Sequence, residues 1–228
     1  MDGSYLTSLG KEENQNQKVL DLRPLLHPTC FPNILTMAVL DHNKEVFWEV
    51  HDNFQKQTYR NRYHICTDQG LHKLSIPIRH VGGKDGRQKY REVQIDNSYR
   101  WQLQHWRTLQ TAYRTSPFFE FYEDDVAPLF HREFKYLMDF NWDSIRLLCD
   151  SISLNPETQH TEGYSKVSNE KHDYRPLVNA KKETILKFEP YQQVFAERHG
   201  FIPNTSALDL LFNEGPNAST YLKNIKIP

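Results

Sequence analysis

The succession strand, helix, strand over residues 19–50 constrains this chain more than any other feature. Val19-Leu20-Asp21-Leu22 opens an apolar segment that continues through Leu25 and Leu26. Pro28 and Pro32 then bracket a turn. Asn33 to Leu40 reads as a helix, apolar at Ile34, Leu35, Met37, Ala38 and Val39, and Glu45 to Val50 reads as the next strand. Strand, helix, strand over this length is a parallel crossover unit, which places the chain in the α/β class.

Further on, Tyr59 to Thr67 and Leu71 to Ile78 read as two strands joined at Asp68-Gln69-Gly70, which predicts a hairpin. Arg79 to Lys89 sets Gly82, Gly83 and Gly86 among bases and reads as a loop, and Tyr90 to Ile95 alternates like a strand. The middle is helical. Trp101, His105, Leu109 and Ala112 share one helix face, and Pro117 breaks that helix. Val126, Leu129, Phe130, Phe134, Leu137 and Met138 form a second stripe. Trp142, Ile145, Leu148, Cys149 and Ile152 form a third, with Asn141 as its N-cap. Residues 155–179 are polar and read as a long loop. Ile185 to Phe188 reads as a short strand, and Pro190 to His199 as a helix stopped by Gly200. A last clear helix, Ser206 to Asn213, opens on the capping-box-like Ser206-Ala207-Leu208-Asp209. The expected architecture is a mixed sheet with a parallel βαβ unit and an antiparallel hairpin, and a helical C-terminal half packed on it. Residues 1–17 read as a polar tail, and 18–228 as one domain.

Composition narrows the function classes. Aromatics make up 13% of the chain, so large rings supply apolar area that a hydrophobic content of 38% would otherwise leave short. A net charge of −1 gives no global field toward nucleic acid or membrane. Lys and Arg nevertheless concentrate in residues 53–91, and Glu120, Glu123, Asp124 and Asp125 follow without a base among them, so internal pairing is expected. Three scattered cysteines argue for a reducing compartment, and the polar N-terminus lacks the apolar stretch of a secretion signal. The expected location is the cytoplasm.

Four groups carry possible chemistry. Asn53 to Arg62 combines amides, bases and two rings, which suits an anionic or sugar-bearing ligand as well as a solvated loop. The glycines of 79–89 could bring backbone N–H groups to a phosphate, yet no P-loop spacing follows them. His105 could serve as a general base, or could sit hydrogen-bonded in the core beside Trp101 and Leu109. The acids at 120–125 lie in the turn ahead of a helix at Val126, where they suit its positive end. The histidines show no paired helical ligand spacing, so no metal site is read, and no cofactor is indicated.

Several stretches in order resemble the bacterial WbqC-like family. They are Phe31-Pro32-Asn33-Ile34, Gln57-Thr58-Tyr59-Arg60-Asn61-Arg62, Leu74-Ser75-Ile76-Pro77-Ile78, Trp101-x-x-x-His105-Trp106, Ser116-Pro117-Phe118-Phe119, Tyr191-Gln192-Gln193-Val194-Phe195 and Ser206-x-x-Asp209-Leu210-Leu211-Phe212-Asn213. That resemblance implies a role in making or decorating surface polysaccharide or aminosugars, as an acyl- or aminoacyl-type transferase. Its polar motif positions fall here on Asn61, Arg62, His105, Tyr113, Gln193, Ser206, Asp209 and Asn213. The expected site sets His105 as general base with Tyr113 or Asp209 orienting it. Arg60, Asn61, Arg62, Gln193, Ser206 and Asn213 hold a small-molecule substrate, a nucleotide-linked sugar or an activated acyl carrier. The alternative is a non-catalytic module that binds a glycan precursor or a partner protein. Nucleic acid is the least favoured partner.

Overall fold

The computed structural model describes residues 23–79, 88–167, 171–181 and 186–227. The tail expected over 1–17, the start of the first strand and the glycines of the 79–89 loop lie outside these residues. Strand β1 (Arg23–Leu26), helix α1 (Ile34–Asp41) and strand β2 (Glu45–Trp48) form the parallel crossover, with Leu25 opposite Phe47 and Leu26 opposite Trp48. Asn33 starts α1. Its Oδ1 accepts from the Thr36 backbone N–H at 2.9 Å and from the Thr36 hydroxyl at 2.8 Å. These bonds satisfy a donor that the first helical turn cannot pair internally. Asn33→Ala is therefore expected to cost about 1 kcal/mol, read as a lower urea midpoint at unchanged slope.

Strands β3 (Arg62–Thr67) and β4 (Gly70–Ser75) form the antiparallel hairpin. Gly70 closes its turn at φ 92°, a left-handed backbone that glycine adopts without a Cβ penalty. Helices α2 (Trp101–Tyr113), α3 (Phe119–Val126), α4 (Pro128–His131) and α5 (Leu137–Ile152) follow. Strands β5 (Glu157–His160) and β6 (Lys171–Asp173) then extend the first sheet to the order β5-β2-β1-β6, with every pairing parallel. Helices α6 (Ala196–His199), α7 (Ala207–Glu214) and α8 (Ala218–Lys223) complete the described chain. None of the described helices is long and apolar enough to cross a membrane.

The core is aromatic, as composition required. Phe31 sits among Tyr63, Phe130 and Phe140 at centroid distances of 5.0, 5.8 and 5.6 Å. Trp48 of β2 meets Trp142 of α5 edge to face at 5.4 Å. Such pairs add to the area they bury. Every residue of α1 from Ile34 to Leu40 is buried.

Several sequence expectations are corrected. The 155–179 segment is no plain loop, because it supplies both outer strands of the sheet. All four residues of β5 are exposed, so this edge strand carries no apolar alternation to read. Tyr90–Glu92 is a 3₁₀ turn rather than a strand, and the buried Tyr90 hydroxyl donates to the Pro28 carbonyl at 2.6 Å. Asn141 does not cap a helix. It lies inside α5 and donates to the Arg60 carbonyl at 2.8 Å. The acids at 120–125 lie on α3 itself, not in a turn ahead of a helix. Only the last turn of the expected 190–199 helix forms, because Tyr191 and Gln193 turn inward to bond Asp209 instead. Leu186 to Phe188 form no strand, and Ile185 lies outside the described residues.

Candidate functional site

All carboxyl ends of a parallel sheet lie along one edge, and the residues just past them meet there. Beyond β1 comes His27, beyond β2 Glu49, beyond β5 Thr161, and beyond β6 Arg175. The chain runs outward from β1 through β2 to β5, then returns to place β6 on the other side of β1. Strand order therefore reverses at β1/β6, the position where open α/β sheets part their connecting loops.

Two layers of polar groups occupy this edge. In the inner layer, His27 is 5% exposed and Arg60 fully buried. The His27 Nδ1 lies 3.3 Å from the Glu49 carbonyl, and its Nε2 lies 2.9 Å from Arg60 Nη2. An arginine cannot accept, so His27 Nε2 must, and Nδ1–H donates to the carbonyl. Burial, then the Arg60 charge, holds the His27 pKa well below its ordinary value, which agrees with a neutral ring. The same Arg60 Nη2 donates to Asp52 Oδ2 at 2.7 Å, and the guanidinium lies 5.2 Å from the Tyr90 ring centre. Its Nε and Nη1 are buried without a hydrogen-bond partner.

The outer layer surrounds Glu49, a carboxylate 1% exposed. Its Oε1 accepts from the His51 backbone N–H at 2.7 Å and from the Thr161 hydroxyl at 3.2 Å. Its Oε2 lies 3.8 Å from Arg175 Nη1. Arg175 also grips Asp173 through Nε at 2.8 Å and Nη2 at 2.7 Å, and it donates to the Ser165 and Lys166 carbonyls at 2.6 and 3.2 Å. Hydrogen bonding from Arg175 holds the Asp173 carboxyl below its usual range. A cleft of about 350 Å³ opens over this layer, lined by Leu25, Phe47, Glu49, His160, Thr161 and Ser165 among others. His160 is exposed and stacks on Trp142 at 5.1 Å. The cleft thus combines a desolvated carboxylate, a hydroxyl and an open imidazole, with two guanidinium groups behind them. That set can hold hydroxyls and move a proton. Among the described residues no His, Cys, Asp and Glu side chains gather in a metal-binding group.

The residues expected from sequence fall into separate places. Arg60 belongs to the inner layer just described. His105 is 3% exposed and lies elsewhere, against Tyr63, Trp101 and Phe130, with its Nδ1 3.3 Å from the Tyr63 hydroxyl. Arg60 and His105 share no hydrogen-bond or ring partner among the described residues. Burial lowers the His105 pKa to about 4, which leaves the ring neutral.

Tyr113 and Asp209 do not orient His105. They join Tyr191 and Gln193 in a third, buried cluster. Asp209 accepts from the Tyr113 hydroxyl at 2.6 Å, from Gln193 Nε2 at 2.7 Å, and from the Tyr191 hydroxyl. Burial raises the Asp209 pKa, while these donors pull it back. Ser206 caps α7 through a bond from the Leu208 N–H at 3.3 Å, and Asn213 donates to the Asp209 carbonyl at 2.7 Å. Asn61 donates to the Ile76 carbonyl at 2.9 Å, which ties the hairpin, and Arg62 is half-buried beside it. The Asp209 carboxylate is filled from within the protein, whereas Asn61 Oδ1, Arg62 Nε and Asn213 Oδ1 are buried without a hydrogen-bond partner. Burial also drives the Cys30 thiol well above its ordinary range, so it is no nucleophile.

Sequence reasoning missed Glu49, His160, Thr161 and Arg175. The signal that finds them is position just past or at the end of a parallel strand, which needs β5 and β6 to be recognised first.

Comparison with known proteins fits this chain to one family. A protein of Mycobacterium tuberculosis, Uncharacterized protein Rv1507c, is 26% identical over 202 residues, covering 76% of this chain and 86% of that protein. No solved structure matches significantly. The WbqC-like protein family model matches residues 38–184, a span that includes Glu49, Asp52, Arg60, His160, Thr161 and Arg175. On that match, the chain belongs to the WbqC-like protein family.

Proposed function

We propose that this protein is an acyl- or aminoacyl-type transferase that acts on a small hydroxyl-bearing precursor of surface polysaccharide or aminosugars, bound at the carboxyl edge of the parallel sheet. The observation that carries the reading is the convergence there of residues from the carboxyl ends of β1, β2 and β5 around a cleft walled by Glu49, with Arg175, just past β6, on the Glu49 carboxylate. A buried carboxylate accepts hydroxyl hydrogens strongly, because the low local dielectric favours charge-assisted bonds. In this reading Glu49 and Thr161 hold the precursor, and His160 takes the proton from the attacking amine or hydroxyl. Arg60 and Arg175 stand behind Glu49, and Arg175 Nη1 holds its Oε2 at 3.8 Å. The substrate class is the one that the resemblance of the sequence motifs implies.

The test is calorimetric binding of nucleotide-linked sugars and acyl carriers. Glu49→Gln is expected to weaken binding about 10- to 100-fold, the worth of a hydrogen bond to a charged group. Absence of binding across the panel, or an undiminished affinity in a folded Glu49→Gln protein, overturns the proposal.

One observation favours a second reading, a non-catalytic binding module. The imidazoles of His27 and His105 are enclosed and neutral, so the site rests on His160 alone for proton transfer. His160→Asn separates the two. An enzyme loses about 10²–10⁴-fold in turnover, whereas a binding module forms no product before or after the change.

A further inference from the structure

We propose that a second copy of this chain docks its α3 helix into the groove between α2, the β3–β4 turn and α6. The groove encloses about 870 Å³, and Arg100, Arg107, Arg198, His72 and Leu103 stand along it. Arg198 pairs with Asp68 at 3.6 Å, and Asp68 is the one acid on its walls among the described residues. Arg100 and Arg107 form no ion pair among the described residues. Apolar side chains mark the same region, with Tyr99 63% and Leu103 41% exposed.

The complementary surface lies on α3. Glu120, Asp124 and Asp125 are exposed there, and they too form no ion pair among the described residues. Between them stands Phe121, 75% exposed and the most open large apolar side chain among the described residues. The internal pairing expected of the acids at 120–125 is thus left undone among the described residues, and Arg100 and Arg107 of the groove, outside the basic 53–91 stretch, are unpaired as well. Docking between copies pairs them. Phe121 supplies the buried anchor beside Leu103 and Tyr99, and the carboxylates meet Arg100 and Arg107 around it. A polyanion such as single-stranded nucleic acid would fill the groove yet leave Phe121 in water. A second copy accounts for both surfaces at once, and every copy carries both halves.

Sedimentation equilibrium of the full chain, at about 50 and 500 mM salt, tests this. Association is expected at low salt, with a Kd at least about tenfold weaker at high salt, because exposed ion pairs are screened. Arg107→Glu spoils the groove and keeps α3. Phe121→Ser spoils α3 and keeps the groove. Each variant alone is expected to be monomeric at low salt, and their equimolar mixture to associate, with circular dichroism confirming that both fold. Should either misfold, Asp124→Lys takes the place of Phe121→Ser and Arg100→Glu that of Arg107→Glu. A wild-type monomer at low salt, association that survives both single changes, or a mixture that stays monomeric overturns the proposal. So does a monomer whose groove binds an oligonucleotide.

Discussion

Arg60→Ala is expected to lower the free energy of unfolding by about 3–5 kcal/mol, the cost of removing one partner from a buried charge pair. Arg60 is fully buried, and its Nη2 donates at once to Asp52 and to His27. Removal leaves the Asp52 carboxylate, 5% exposed, without its counter-ion. It also leaves a void beneath Tyr90, whose ring the guanidinium covers. The remedy follows from the same physics. Replacing both charges, Arg60→Met with Asp52→Leu, is expected to recover most of the lost stability, because no unpaired charge then remains. Urea unfolding of the two variants measures both numbers. A loss under about 1 kcal/mol for Arg60→Ala would show that the pair is solvated rather than buried.

Stability is expected to fall as pH drops from about 6.5 toward 4, and the buried His105 is one reason. Burial holds its folded pKa at about 4, while the unfolded ring keeps its ordinary value. Between those values the unfolded state binds the proton and the native state refuses it. Stability is therefore complete above the unfolded pKa and is lost as pH falls. The gap amounts to roughly 3 kcal/mol over that interval. His27, with a pKa depressed by burial and by Arg60, acts in the same direction. Asp209, whose carboxyl burial raises, acts in the opposite one. Comparing the wild type with His105→Gln isolates the His105 share. The variant's unfolding free energy should decline less across the interval, and equal slopes would refute the burial of a neutral imidazole.

The parts of this molecule that could be read from sequence are those where apolar pattern and burial coincide. The crossover over 23–48, the hairpin at 62–75 and the α2 stripe could be read because apolar residues mark them: α1 is buried on every side from Ile34 to Leu40, α2 buries one stripe, and the hairpin turns at Gly70. The outer strands could not be read this way. Strand β5 is exposed along its whole length, and β6 has three residues. Both pair with their neighbours through the backbone, and the side-chain contacts of β5, Gln159 to Glu45 and His160 on Trp142, leave no apolar alternation to read. Reading them as loop removed half of the sheet, and with it the edge on which Glu49, Thr161 and Arg175 meet. The polar motif residues were legible as a group, yet their role was not. Tyr113, Gln193, Ser206, Asp209 and Asn213 are polar residues in an apolar setting, a pattern shared by sites and by buried structural networks. The Asp209 cluster is of the second kind in its geometry, since its oxygens are filled by Tyr113, Tyr191 and Gln193. His105 illustrates the same ambiguity. Its helical spacing beside Trp101 and Leu109 already indicated the core face, and the ring is enclosed there.

Co-crystallisation with nucleotide-linked sugars and acyl carriers tests the central claim most directly. The account predicts ligand density in the cleft over β1, β2 and β5, with a ligand hydroxyl within hydrogen-bond reach of a Glu49 oxygen and His160 beside the reacting group. Ligand density seated instead along α2, or around the buried Asp209 cluster with the cleft vacant, would contradict it.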